Sequence, residues 1–90
     1  MDLYAVYLGG HMSEGRLGED HEVVFVVAED AHDARSRAKA KWTGAGGVHV
    51  DALVRLDQID GHVIRLEPAA DHGDLVELDT TPPSKQAPRS

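Results

Sequence analysis

Cysteine is absent from this chain of 90 residues, which removes disulfides, thiolate metal sites and cysteine nucleophiles together. Aromatic residues are scarce as well: one Trp, two Tyr and one Phe. The core must then come from valine, leucine and alanine, and a lone copy of so small a domain is marginal. Positive charge is in deficit, with 9 Lys and Arg against 16 Asp and Glu and a net charge of −7. That balance favours solubility and opposes binding to nucleic acid or an anionic membrane. Long apolar runs are missing: the longest, Val23 to Ala28, is far too short to cross a bilayer. The first residues, Met1 to Tyr4, lack a basic segment followed by an apolar run, so no signal peptide is expected and the cytoplasm is the expected location.

What is present is organised around Glu22-Val-Val-Phe-Val-Val-Ala28, with His21 before it and Asp30 behind. The stretch is apolar on both of its faces, as expected of a central strand covered on both sides. Leu3 to Leu8 forms the strand before it, again apolar on both faces. Between them, residues 9 to 18 hold four glycines. Their spacing fits neither the dinucleotide-binding nor the P-loop pattern, so this is a long hairpin connection. Asp30 is placed to cap a helix running from about residue 31 to 43, with Asp33 in its first turn. Ala31, Ala34, Ala38 and Trp42 fall on one stripe of that helix. His32, Arg37, Lys39 and Lys41 make its solvated face, and Gly44 to Gly47 stops it.

Val48, Val50, Ala52, Val54 and Leu56 alternate with His49, Asp51, Leu53, Arg55 and Asp57, the pattern of a third strand with one mainly polar face. A fourth strand is expected from His62 to about Glu67. Keeping its apolar residues opposite those of the third strand requires a three-residue Ile59-Asp60-Gly61 loop, which sets Leu56 against Ile64. Leu75 to Leu78 has the composition of a short fifth edge strand. The segment 81–90 has almost nothing to bury and is expected to be a disordered tail after a single domain over residues 1–80.

The order β-β-α-β-β predicts an α+β fold: a four-stranded mixed sheet with one helix packed on one face. If the helix is a crossover within one sheet, the strands on either side of it point the same way. Tyr7, Gly10, His11, Glu19, His21, Glu22, His49, Asp51 and Glu67 then gather near one edge, with Trp42 beside them. One helix covers only one face, so the second apolar face of strands 1 and 2 needs a partner. A homodimer is the simplest.

Tyr7-Leu-Gly-Gly10, His21-Glu-Val-Val-Phe-Val-Val27, a helix ending at Trp42, His49-Val-Asp51 and Asp60-Gly61 together resemble the bacterial domain of unknown function DUF 1543. The resemblance spans roughly residues 3 to 66 and implies this fold. It marks His21, Glu22, His49 and Asp51 as the matching polar positions. Ala52 and Leu53 stand where that family often has an aromatic residue after the His-x-Asp element, and Thr43 departs from it before the glycine. No activity comes with the resemblance. The expectation is therefore a homodimeric binding or protein-interaction module rather than an enzyme, without a cofactor. The alternative is a small metal-dependent or histidine-based enzyme, in which His21, His49 and Asp51, with Glu19 or Glu22 as an optional addition, hold a divalent ion or Asp51 orients His49 as a general base.

Overall fold

The structure, a computed structural model, describes residues 1–11, 13–15, 17–71 and 73. The elements follow as β1 (Asp2–His11), β2 (Asp20–Ala28), α1 (Ala31–Ala40), β3 (Ala45–Arg55), β4 (Gln58–Ile59) and β5 (His62–Val63). β1 is the centre of a three-stranded sheet ordered β2-β1-β3, antiparallel to both neighbours. Two strands that each oppose β1 share a direction, so β2 and β3 point the same way with β1 between them. α1 connects them and packs on all three strands.

Alternation divides the sheet cleanly. Tyr4, Val6 and Leu8 of β1 and Val26 and Ala28 of β2 face the helix and are buried, together with Ala34 and Ala38 of α1. Val24, Trp42, Val48, Val50 and Leu53 pack around them, partly buried. The two helical alanines explain the close seat: with only a methyl at the contact, the helix backbone approaches the sheet. α1 starts where Asp30, in extended conformation, accepts a hydrogen bond from the Asp33 backbone N–H at 2.8 Å. It ends earlier than expected, at Ala40. The Lys41 backbone N–H still donates to the Ala38 carbonyl, and Trp42 donates to Lys39, so the chain leaves on a tightened last turn.

Three sequence expectations need correction. The sheet is not a four-stranded mixed one: β4 and β5 form a separate two-stranded hairpin. Nor is its loop three residues long. Gln58 pairs with Val63 and Ile59 with His62, leaving the two-residue turn Asp60-Gly61, both at positive φ (52° and 76°), which is the favoured geometry for Asp-Gly. The apolar-register argument needed a buried face along the paired residues, yet Ile59 and Val63, which pair in the hairpin, are both exposed. Turn chemistry therefore decides the register. The third correction concerns β3. Tyr7 pairs with Ala52 but Leu8 pairs with Val50, so Asp51 is an extra residue in a β-bulge. Beyond it the alternation changes phase: Leu53 joins the core while Val54 is exposed. The proposed fifth strand at Leu75 to Leu78 and the tail over 81–90 lie outside the described residues. No described helix is long and apolar enough to cross a membrane.

Candidate functional site

The face of the sheet away from the helix carries, at the glycine end of β1, a four-residue cluster. Gly9 pairs with His21 on one side and with His49 on the other, so one row crosses the sheet with an imidazole on each flanking strand. β2 and β3 are two strand spacings apart, about 9.6 Å. Side chains from both can meet only if the middle strand offers nothing in between, and Gly9 offers nothing. A Cβ placed on Gly9 would lie 2.7 Å from Asp51 Oδ2, 2.7 Å from His49 Nε2 and 2.8 Å from Glu19 Oε1.

Above Gly9 the polar tips converge. His21 Nε2 lies 3.0 Å from Glu19 Oε1 and 3.3 Å from Asp51 Oδ2. His49 Nε2 lies 3.0 Å from Asp51 Oδ1 and 3.3 Å from Glu19 Oε1. Each histidine thus meets one carboxylate from its own strand region and one from across the sheet. The His21 ring is stacked on Tyr7, centroids 4.9 Å apart and planes 8° from parallel, which fixes the imidazole plane. The bulge keeps Asp51 on the face of His49 although the chain changes phase directly after it.

His21, His49 and Asp51, expected from sequence to be neighbours, are brought together. Glu22 is not. It lies on the helix side of β2, where Thr43 Oγ1 donates to its Oε2 at 3.1 Å. Among the described residues its buried Oε1 finds no hydrogen-bond partner, nor does the buried Trp42 Nε1. Glu67 follows β5 in a stretch without strand pairing, so the sheet does not carry it to this edge. Sequence reasoning gave Glu19 only an optional place and missed Gly9 as the floor of the cluster. The signal for both was present: a carboxylate just before the second strand, and a glycine ending a strand that lies between two histidine-bearing strand starts.

The arrangement constrains the chemistry. A carboxylate that orients a general base holds the imidazole nitrogen remote from the reacting atom. Here both carboxylates meet the same nitrogen, Nε2, on each ring. All four contacts therefore converge on one nitrogen of each ring, over Gly9. Elsewhere on this face the side chains are apolar: Tyr7, Val23, Phe25, Val27 and Val54 are all exposed large hydrophobics.

A comparison with protein families matches residues 16–66 to the model of the Domain of Unknown Function (DUF1543). Neither a curated protein nor a solved structure matches the chain.

Proposed function

This chain belongs to the DUF1543 family, and from the sheet face that its single helix leaves uncovered we propose that it acts as a protein-interaction module whose partner is a second copy of itself. One observation carries this reading. Val23 (53% exposed), Phe25 (45%) and Val27 (40%) of β2, Tyr7 (40%) of β1 and Val54 (53%) of β3 lie side by side on one face. Leu3 and Ala5, half-buried, fill the row between them. A contiguous apolar patch of this kind marks an interaction surface on a folded domain.

The second copy is favoured over an unrelated partner by charge. Away from the histidine cluster, the described residues of the patch carry no ionisable group other than the Tyr7 phenol, so none of them selects a partner by charge complementarity. A flat apolar face is complementary to itself, and two such sheets pack face to face about 10 Å apart around a two-fold axis. Magnitudes set the strength. Covering a half-exposed side chain of this size recovers roughly 1 kcal/mol. Five from each copy, ten in the pair, give on the order of 10 kcal/mol, and the association cost of at least ~4 kcal/mol leaves about 6 kcal/mol at most, a dissociation constant of roughly tens of micromolar or weaker. The dimer is therefore reversible, and its population falls on dilution.

Sedimentation velocity over a dilution series tests this. The wild type shifts from dimer to monomer as concentration falls from roughly a millimolar to roughly ten micromolar, while the double variant Val23→Lys, Phe25→Lys stays monomeric with an unchanged far-ultraviolet circular dichroism spectrum. A wild type that is monomeric throughout, or a double variant that still dimerises, contradicts the reading.

A further inference from the structure

We propose that Glu19, His21, His49 and Asp51 form a binding site for one divalent transition-metal ion of the zinc class, held above Gly9. The site lies within one chain and does not depend on self-association.

Distances carry the inference first. A tetrahedral ion bound to nitrogen and oxygen at about 2.0–2.1 Å has ligand atoms about 3.3–3.4 Å from one another, and an octahedral one brings them to about 3.0 Å. Four nitrogen-to-oxygen edges of the cluster measure 3.0, 3.0, 3.3 and 3.3 Å. These contacts have the spacing of neighbouring ligands, Asp51 offering a different oxygen to each histidine. Glu19, His49 and Asp51 each offer a ligand atom, all within 4.8 Å of one another, and His21 joins them as the fourth ligand by a small shift of its ring.

Charge carries it next. Two carboxylates aimed at one point repel each other, and a cation between them removes that repulsion. Each imidazole nitrogen in the cluster faces two carboxylate oxygens, yet carries at most one proton to share between them. A metal ion accepts the lone pairs of both nitrogens and both carboxylates at once, so all four contacts become favourable together.

Support from behind the donors is the third observation. Tyr7 holds the plane of His21 by stacking, and the bulge at Asp51 aims its carboxylate across the sheet. Gly9 keeps clear the space that any side chain would fill. The donor set decides the metal. Two imidazoles with two carboxylates are borderline, matching zinc and its first-row neighbours, whereas magnesium and calcium prefer oxygen alone.

The test uses the full chain, purified without a histidine tag and stripped with a chelator, titrated with zinc chloride by calorimetry and with cobalt chloride by visible absorption. One zinc binds per chain, and cobalt gives the visible bands of a site rich in nitrogen and oxygen. Affinity falls in His21→Ala, His49→Ala and Asp51→Asn by more than the roughly 10–100-fold that loss of an outer-shell partner causes. Gly9→Ala, whose methyl pushes three donors apart while the fold persists, loses affinity too. Glu22→Gln and His62→Ala, away from the cluster, bind as the wild type does. Circular dichroism confirms that each variant is folded, and should His49→Ala unfold, the near-isosteric Asp51→Asn gives the same reading. A folded wild type that takes up no zinc at high micromolar concentration overturns the proposal. So does zinc binding that survives Asp51→Asn and Gly9→Ala unchanged.

Discussion

His21 and His49 stand opposite the same residue, Gly9, from the two sides of the central strand. The relation follows from direction: β2 and β3 run the same way because each opposes β1. A helix that connects them returns the chain to the same edge, with His21 at the start of β2 and His49 in the first half of β3. A single hydrogen on Gly9 is then what lets side chains two strands apart touch.

Glycines near this edge differ in what they tolerate. At Gly9 an added methyl meets the movable tips of Asp51, His49 and Glu19, so Gly9→Ala costs little stability. At Gly44 it would lie 2.5 Å from Trp42 Cζ2 and 2.6 Å from the His11 carbonyl oxygen, and at Gly10 2.8 Å from the Gly47 carbonyl oxygen. Backbone does not yield as a side-chain tip does. Gly44→Ala and Gly10→Ala each lose about 1–3 kcal/mol, read by urea unfolding, with Gly9→Ala as the near-neutral comparison.

The bulge at Asp51 makes β3 change faces, and neighbouring substitutions should separate accordingly. Leu53 packs against the core while Val54 is exposed on the open side. Leu53→Ala destabilises the chain by about 2 kcal/mol or more. Val54→Ser leaves monomer stability within about 0.5 kcal/mol and weakens self-association instead. Chemical unfolding and sedimentation, run on both variants, distinguish the two effects.

The start of α1 predicts an acid limb in stability. The Asp33 carboxylate accepts from the Glu29 backbone N–H at 3.1 Å and from Arg37 Nε at 3.0 Å. These contacts, the backbone one first, hold its pKa below the usual carboxylate value. A group whose pKa is lower folded than unfolded stabilises the fold above its unfolded value, and that contribution is lost as pH falls through the folded one. Wild type therefore loses melting temperature below about pH 4 more steeply than Asp33→Asn, as thermal scans between neutral and acid pH will show. Asp30→Ala, which removes the cap itself, costs about 1 kcal/mol at neutral pH.

Much of this was legible in the residues themselves, for identifiable reasons. β1 and β2 announce themselves by β-branched, two-faced runs, and Asp30 with the Ala34 and Ala38 stripe marks a helix that seats on them. With strand directions settled, His21, His49 and Asp51 had to share an edge. The bulge was not legible: alternation through Asp51 to Leu56 looks regular, and only pairing with Tyr7 and Leu8 reveals the extra residue. The hairpin of β4 and β5 departs from the sequence expectation for a related reason. Its apolar residues suggested a buried face, yet the pair leaves the sheet, so the local preference of Asp60-Gly61 prevails over a register that nothing enforces. The resemblance marks Glu22 along with His21, but neighbours along a strand face opposite sides of the sheet, and only His21 faces the cluster.

The uncovered sheet face is the centre of this account, and the most direct measurement asks what touches it. In an equimolar mixture of carbon-13-labelled and unlabelled chains at high micromolar concentration, isotope-filtered nuclear Overhauser spectra report only contacts between copies. Contacts joining the Phe25 ring and the Val23, Val27 and Val54 methyls of one copy to the same residues of the other are the predicted result. Contacts between copies that involve the solvent face of α1 instead, or their complete absence in a sample that sediments as a dimer, would contradict it.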